Sequence, residues 1–216
     1  MAPNSPPAHD THTTHTLLRQ AHEQLRAKNY VLACTLLLQA SALGSPHAMY
    51  RLAAAYEHGI GVQKNMQKSM WWYGRAGSCA HKGALERLGK YAANGSPDAQ
   101  MQMGYVMDLA GNDRGAFRMF ALAAKQGLTT AITNLAVFYA DGRGVDRNVR
   151  HAIYLLKETV LRGDAVGMYN LALIYEDGKG SLSNLEQARK HYRMAGGKGH
   201  LKSQAAFERL CTTMNV

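Results

Sequence analysis

The strongest constraint on this chain is that it repeats itself. A small–x–x–x–large–small–x–x–large pattern occurs at Ala48, Leu52, Ala53 and Tyr56, and again at Ala99, Met103, Gly104 and Met107. It returns at Ala131, Leu135, Ala136 and Tyr139, and at Gly167, Leu171, Ala172 and Tyr175. Spacings of four, one and three put these residues on one face of an α-helix, where the small members let a second helix come close. A second pattern comes after each first one, at Ser69, Trp72, Tyr73, Ala76 and Gly77 and at Ala116, Met119, Phe120, Ala123 and Ala124. Its last two copies are Ala152, Leu155, Leu156, Thr159, Val160 and Ala188, His191, Tyr192, Ala195, Gly196. The second pattern trails the first by 21, 17, 21 and 21 positions, and the last two copies are 36 apart in both helices. Two helices, A and B, kept in register four times describe a stack of helix pairs.

The A-to-B connection is written alike in three copies. Gly59 and Gly61, Gly142 and Gly144, and Gly178 and Gly180 take equivalent places. The first glycine suits a left-handed helix end and the second a tight return of the loop. Asn65, Asn148 and Asn184 recur just before helix B, where an N-cap is expected. No strand precedes the Gly-x-Gly pairs, so a phosphate-binding loop is not the reading. The copy at 99–127 lacks the pair, "DLAGNDRGAF" standing in its place.

Between the first two copies the pattern strains. Ala84, Leu88, Gly89 and Ala92 in "HKGALERLGKYAANG" sit 36 residues after Ala48, Leu52, Ala53 and Tyr56, so 81–95 reads as another helix A. The next stretch, "SPDAQMQMGYVM", also reads as a helix A. Either 97–109 packs as the partner of 81–95 or the array is locally broken, and an irregular middle over 80–112 is expected. Gly44-Ser45-Pro46 and Gly95-Ser96-Pro97 are the same punctuation: a glycine stop, a serine N-cap and proline at the first helical position. The expected organisation is a disordered tail at 1–13, a capping helix pair at 14–44, a solenoid at 45–199 and a closing helix at 200–216. Terminal units must hide one apolar face and present a polar one.

The stretches "AMYRLAAAYEHGIGV", "AITNLAVFYADGRGV", "GMYNLALIYEDGKGS" and "WWYGRAG" resemble the Sel1-like repeat (SLR) family, which is related to tetratricopeptide repeats. That family is marked by Ala-x-x-x-Leu-Gly-x-x-Tyr, a Gly-x-Gly loop and a Trp-Tyr-x-x-Ala-Ala helix. The resemblance covers roughly 45–199. It implies an all-α, right-handed superhelical solenoid of antiparallel helix pairs with helix A lining the concave face. In that layout the groove is lined by Tyr50, Arg51, Ala54 and Glu57, then by Met101, Gln102, Tyr105 and Asp108. Further along come Thr133, Asn134, Val137 and Ala140, and finally Tyr169, Asn170, Leu173 and Glu176. Tyr, Arg, Asn and Met suit contact surfaces. Arg51, Asn134 and Asn170 are register equivalents, and an asparagine row offers donors and acceptors to a peptide backbone.

Composition narrows the function. The 216 residues carry 25 Lys and Arg against 15 Asp and Glu, a formal net charge of +10, which favours acidic partners. The charge is spread along the helices without a basic run, so nucleic acid ranks below an acidic protein or peptide. No window is long and apolar enough for a membrane span, and the first residues lack the layout of a signal peptide. Cys34, Cys79 and Cys211 are odd in number, so a cytoplasmic protein with three small buried thiols is expected. His9, His12 and His15 are read as part of a solvated tail, with a weak metal site as the lesser reading. Asp141 and Asp177 end equivalent helices and are read as bracing the loops. Trp72 and Tyr73 match core positions of the family, whereas Trp71 faces elsewhere. No motif for catalysis, a metal or a cofactor is present. The leading expectation is therefore a non-enzymatic adaptor that binds a protein or peptide in the groove, with no cofactor and an open oligomeric state. The alternative is a binder of an anionic polymer, nucleic acid or a charged glycan. An enzyme with a deep pocket between the irregular helices at 80–130 ranks last.

Overall fold

The computed structural model of the chain describes residues 11–178 and 184–213. These residues form twelve α-helices and no strand, and the chain divides after Ala110 into two compact units. The fold is an all-α repeat solenoid.

The first unit contains α1 (Thr11–Arg26), α2 (Tyr30–Ala42), α3 (Pro46–His58), α4 (Met66–Ser78), α5 (Lys82–Ala93) and α6 (Pro97–Leu109). Each helix from α1 to α4 packs on the next, and α4, α5 and α6 all pack on one another. Residues 97–109 are thus the partner of 81–95, the first of the two arrangements the sequence left open. The anchor residues behave as their spacing requires. Ala48, Leu52, Ala53, Ala84, Leu88 and Ala92 are all buried, and Met49, Met70 and Tyr73 close the core between α3, α4 and α5. Ala21, Leu37 and Ala40 seal the capping pair against Ala48.

The second unit contains α7 (Asp113–Lys125), α8 (Thr129–Asp141), α9 (Val149–Leu161), α10 (Ala165–Asp177), α11 (Leu185–Gly196) and α12 (Leu201–Thr213). Each packs on the next in order. Leu135 and Leu171 are buried like Leu52 of the first unit. Leu156 and Ile174 fill the α8–α9–α10 core, and Tyr192 and Leu210 that of α10–α11–α12.

Helix ends obey the local chemistry. Ser45 and Ser96 cap α3 and α6 by accepting from the Ala48 and Ala99 N–H groups, with proline in the first turn. Asn65, Asn148 and Asn184 cap α4, α9 and α11 through their side-chain oxygens. Replacing Asn148 by alanine leaves the His151 N–H without that acceptor and is expected to cost about 1 kcal/mol, read as a small fall in the denaturant midpoint.

Two expectations need correction. The segment 1–13 is expected as a tail, but α1 starts at Thr11, so His12 and His15 stand on a helix that runs out from the buried Ala21 end. His9 and Gly180 lie outside the described residues. Of the three thiols expected to be buried, Cys79 is exposed because it ends α4 as its C-cap, whereas Cys34 is buried and Cys211 half-buried.

Candidate functional site

In the two loops whose second glycine is described, Gly61 and Gly144, that glycine exists for packing. A Cβ on Gly61 would lie 2.2 Å from the Tyr30 carbonyl oxygen, at the first residue of α2, and one on Gly144 2.4 Å from the Asp113 carbonyl oxygen, at the first residue of α7. Each loop is therefore pressed against the start of the preceding helix B. Around it, the Cys34 thiol donates to the Ile60 carbonyl at 3.2 Å, and Arg143 pairs with Asp113 at 2.5 Å. The two Gly-x-Gly loops lean on protein backbone and carbonyl oxygen, not on an anion.

With the loops fixed, the A-helix residues open onto cavities. In the first unit a cavity of about 610 Å³ lies over α2 and α3, with Leu25 of α1 and His81, the N-cap of α5, at its edges. Tyr50, Arg51 and Ala54 line it, together with His47 and His58. A neighbouring cavity of about 380 Å³ shares Leu25, His47 and Arg51 and adds His15, Arg19 and His22 of α1. The walls are apolar and the rim is cationic or titratable, with no carboxylate among the described lining residues.

Met101 and Gln102 do not join this cavity. They line a separate one of about 400 Å³ with Tyr56, Trp71, Trp72 and Asp98. The cause is α5, which takes the place beside α4 that the regular repeat gives to the next helix A. Gln102 is buried, and its side chain fills the space left by Gly74, where a Cβ would lie 2.5 Å from Gln102 Oε1. Tyr105 is half-buried. Trp71 is 43% exposed, edge-on to Trp72 and under the Arg75 guanidinium at 5.1 Å.

Glu57 faces inward. It is 5% exposed and accepts from Tyr73 Oη at 2.7 Å, Tyr91 Oη at 2.6 Å and the Arg87 guanidinium. Burial pushes its carboxyl pKa up, but the bonds from Arg87, Tyr91 and Tyr73 outweigh that and hold it down at about 2. A shorter version recurs in the second unit: Glu176 accepts from Tyr192 Oη at 2.6 Å and pairs with Arg209 at 2.5 Å. These carboxylates tie helices together.

In the second unit Val137, Asn170 and Leu173 meet in a cavity of about 200 Å³ with Asp141 and Asp177 at its rim. Asn134 and Tyr169 are half-buried, and the Tyr169 ring lies 4.7 Å from His200 and 5.8 Å from Tyr192. The sequence reading missed the histidines. Their signal was available: His81 comes after Tyr50 and His200 after Tyr169 by the same 31 residues, and in the intervening repeat Thr133 donates to Asp164 across that interval at 2.7 Å.

A family model described as "Sel1 repeat" matches residues 46–81, 97–128, 129–164 and 165–200. The matches leave out 82–96, the stretch that holds α5. Among solved structures, a Sel1 repeat protein from Oxalobacter formigenes is 22% identical with a TM-score of 0.54, over 94% of this chain and 87% of that one. The c5321 protective antigen of uropathogenic Escherichia coli, which displays an SLR fold, is 18% identical with a TM-score of 0.46, over 91% of this chain and 48% of that one. Immunity protein Pa5087 from Pseudomonas aeruginosa is 19% identical with a TM-score of 0.40, over 90% and 83%. No curated protein matches the chain. The likeness to the first of these structures is one of fold.

Proposed function

Because the chain belongs to the Sel1 repeat family, we propose that it is a non-enzymatic adaptor that holds a protein or peptide segment against its A-helix face. Sel1 repeat proteins generally mediate protein–protein interaction, on a repeat scaffold that is not itself an enzyme fold. The observation that carries the reading is the cavity of about 610 Å³ over Tyr50, Arg51 and Ala54, apolar within and cationic at its edge. Apolar walls with a few placed polar groups are what a binding pocket needs. The part of the partner that meets this unit is acidic. In the second unit Val137, Asn170 and Leu173 line a cavity of their own, whereas Glu57 and Gln102 serve the interior of the first. No helix among the described residues is long and apolar enough to cross a membrane, and the odd cysteine count supports a cytoplasmic setting.

The test uses the immobilised chain as bait in native lysate, with mass spectrometry of what it retains. Arg51→Glu, combined with Asn134→Ala and Asn170→Ala, is expected to abolish capture of the retained partner while the melting curve stays in place. Capture unchanged in the triple variant removes the A-helix face from consideration.

A further inference from the structure

The first-unit cavity holds two imidazoles whose arrangement places their protons. His81 Nδ1 lies 3.2 Å from the Ala84 N–H and accepts from it as the N-cap of α5. That nitrogen therefore carries no proton, and the proton of the ring sits on Nε2. Nε2 in turn lies 3.1 Å from Nδ1 of His47. His81 donates, His47 accepts, and the proton of His47 is on its own Nε2. Tyr50 stacks on His81 at 4.7 Å and 21° and keeps that ring in place. Burial, and then the repulsion that two protonated rings would exert on each other, lower the His81 pKa. Both unprotonated nitrogens of the pair are engaged, Nδ1 of His81 by a backbone N–H and Nδ1 of His47 only by the His81 ring, so a proton added to His47 gives up the bond between the rings and leaves the helix cap intact.

We propose that this cavity takes a carboxylate borne on an otherwise apolar segment of the partner, and that His47 gains a proton as the carboxylate arrives. The inference rests on the A-helix reading above and adds its regulation. The proton comes from solvent and adds to Nδ1 of His47; no other bond is made or broken covalently. An N–H on His47 then faces the N–H of His81, so the bond between the rings is lost. Both rings are left with donors for the incoming carboxylate, beside the Arg51 guanidinium. An anion in contact with an imidazole favours its charged form, so binding and proton uptake reinforce each other.

The surroundings fit. The charged and titratable groups around the pair are Tyr50, Arg51 and His58 of α3, Cys34 of α2, Lys82 next to His81, and His15, Arg19 and His22 of α1 in the adjoining cavity. Cys34 donates to Ile60, and burial raises its pKa, so it stays a thiol. The α3 carboxylate of Glu57 is occupied by Tyr73, Arg87 and Tyr91. A ligand carboxylate meets no described acidic competitor in the cavity wall.

The experiment titrates the full chain with N-acetyl-Leu-Glu-Leu-amide at pH 8 and pH 6, tracking amide and imidazole signals by NMR. One proton taken up allows at most tenfold tighter binding per pH unit; about tenfold tighter binding at pH 6 than at pH 8 is expected when uptake and binding are coupled. The Gln analogue of the peptide is expected to bind much more weakly at both pH values. His47→Gln is expected to bring the ratio between pH 6 and pH 8 to about one, whatever its absolute affinity. No saturable binding, no preference for Glu over Gln, or a pH gain that survives in His47→Gln overturns the proposal. Equal binding of the Glu peptide at both pH values overturns the proton uptake and leaves the A-helix reading to stand or fall on the capture experiment.

Discussion

Replacing Gly61 by alanine is expected to cost about 2–5 kcal/mol, read as a fall in the urea midpoint of the purified chain. Two effects add. The backbone at Gly61 has φ +71°, where an L side chain pays about 1–2 kcal/mol. The new Cβ would also stand 2.2 Å from the Tyr30 carbonyl oxygen and 2.5 Å from its carbon. Backbone at the start of a packed helix cannot swing aside like a flexible side chain, so the loop or α2 must move, at about 1–3 kcal/mol by the measure of overpacked cores. Gly95 separates the two effects: its φ is +86°, but nothing lies within 4 Å of where its Cβ would be. Gly95→Ala is expected to show the backbone cost of about 1–2 kcal/mol alone. Equal losses at the two positions would mean that the loop is not pressed against α2.

This contrast shows how the sequence carries its structure. The A-to-B loop was legible as a turn because glycine at a helix end has a local reason. Its second glycine has a distant one, a carbonyl 31 residues earlier, and no local pattern announces that. The buried faces of α3, α8 and α10 were legible because helical periodicity alone decides which side chains turn inward. The placement of Met101 and Gln102 was not, since it depends on α5 packing against both α4 and α6. Residues 97–109 carry the pattern of helix A, yet α5 gives them the role of a partner helix. Glu57 illustrates the same limit. Its register matched a groove position, but Arg87 and Tyr91, 30 and 34 residues later, draw it inward. The histidine pair also joins residues 34 apart, across α3 and the start of α5. Local periodicity reads a single helix well. Contacts that cross from one repeat to the next need the number of intervening helices, and here the chain inserts one.

Removing the Glu57 carboxylate is expected to cost about 2–4 kcal/mol, and the loss has a signature in pH. Glu57→Ala leaves the Tyr73 hydroxyl, 1% exposed, without its acceptor, a cost of about 1–3 kcal/mol by itself. It also frees Arg87, which is 40% exposed along its side chain and regains water; that recovery keeps the total below the figure for a fully buried ion pair. The charge matters separately from the contacts. The folded-state pKa of Glu57 is about 2 against an ordinary 4.5. A carboxyl held low in the folded state adds stability that is complete above about pH 4.5 and is lost as pH falls through the folded value. Urea unfolding measured between pH 7 and pH 2 should therefore show the native chain losing its margin over Glu57→Gln as the pH drops below 4.5, with the two curves converging near pH 2. Parallel curves would show that the charge of Glu57 adds nothing and that only its hydrogen bonds hold α3, α4 and α5 together. Glu176 supplies the comparison: it is 16% exposed, its arginine 61%, and it has one tyrosine donor where Glu57 has two. Water competes at the Arg209 contact, but the Tyr192 hydroxyl is as buried as that of Tyr73, and Glu176→Ala is expected to cost about 1–3 kcal/mol for the acceptor it takes from that hydroxyl.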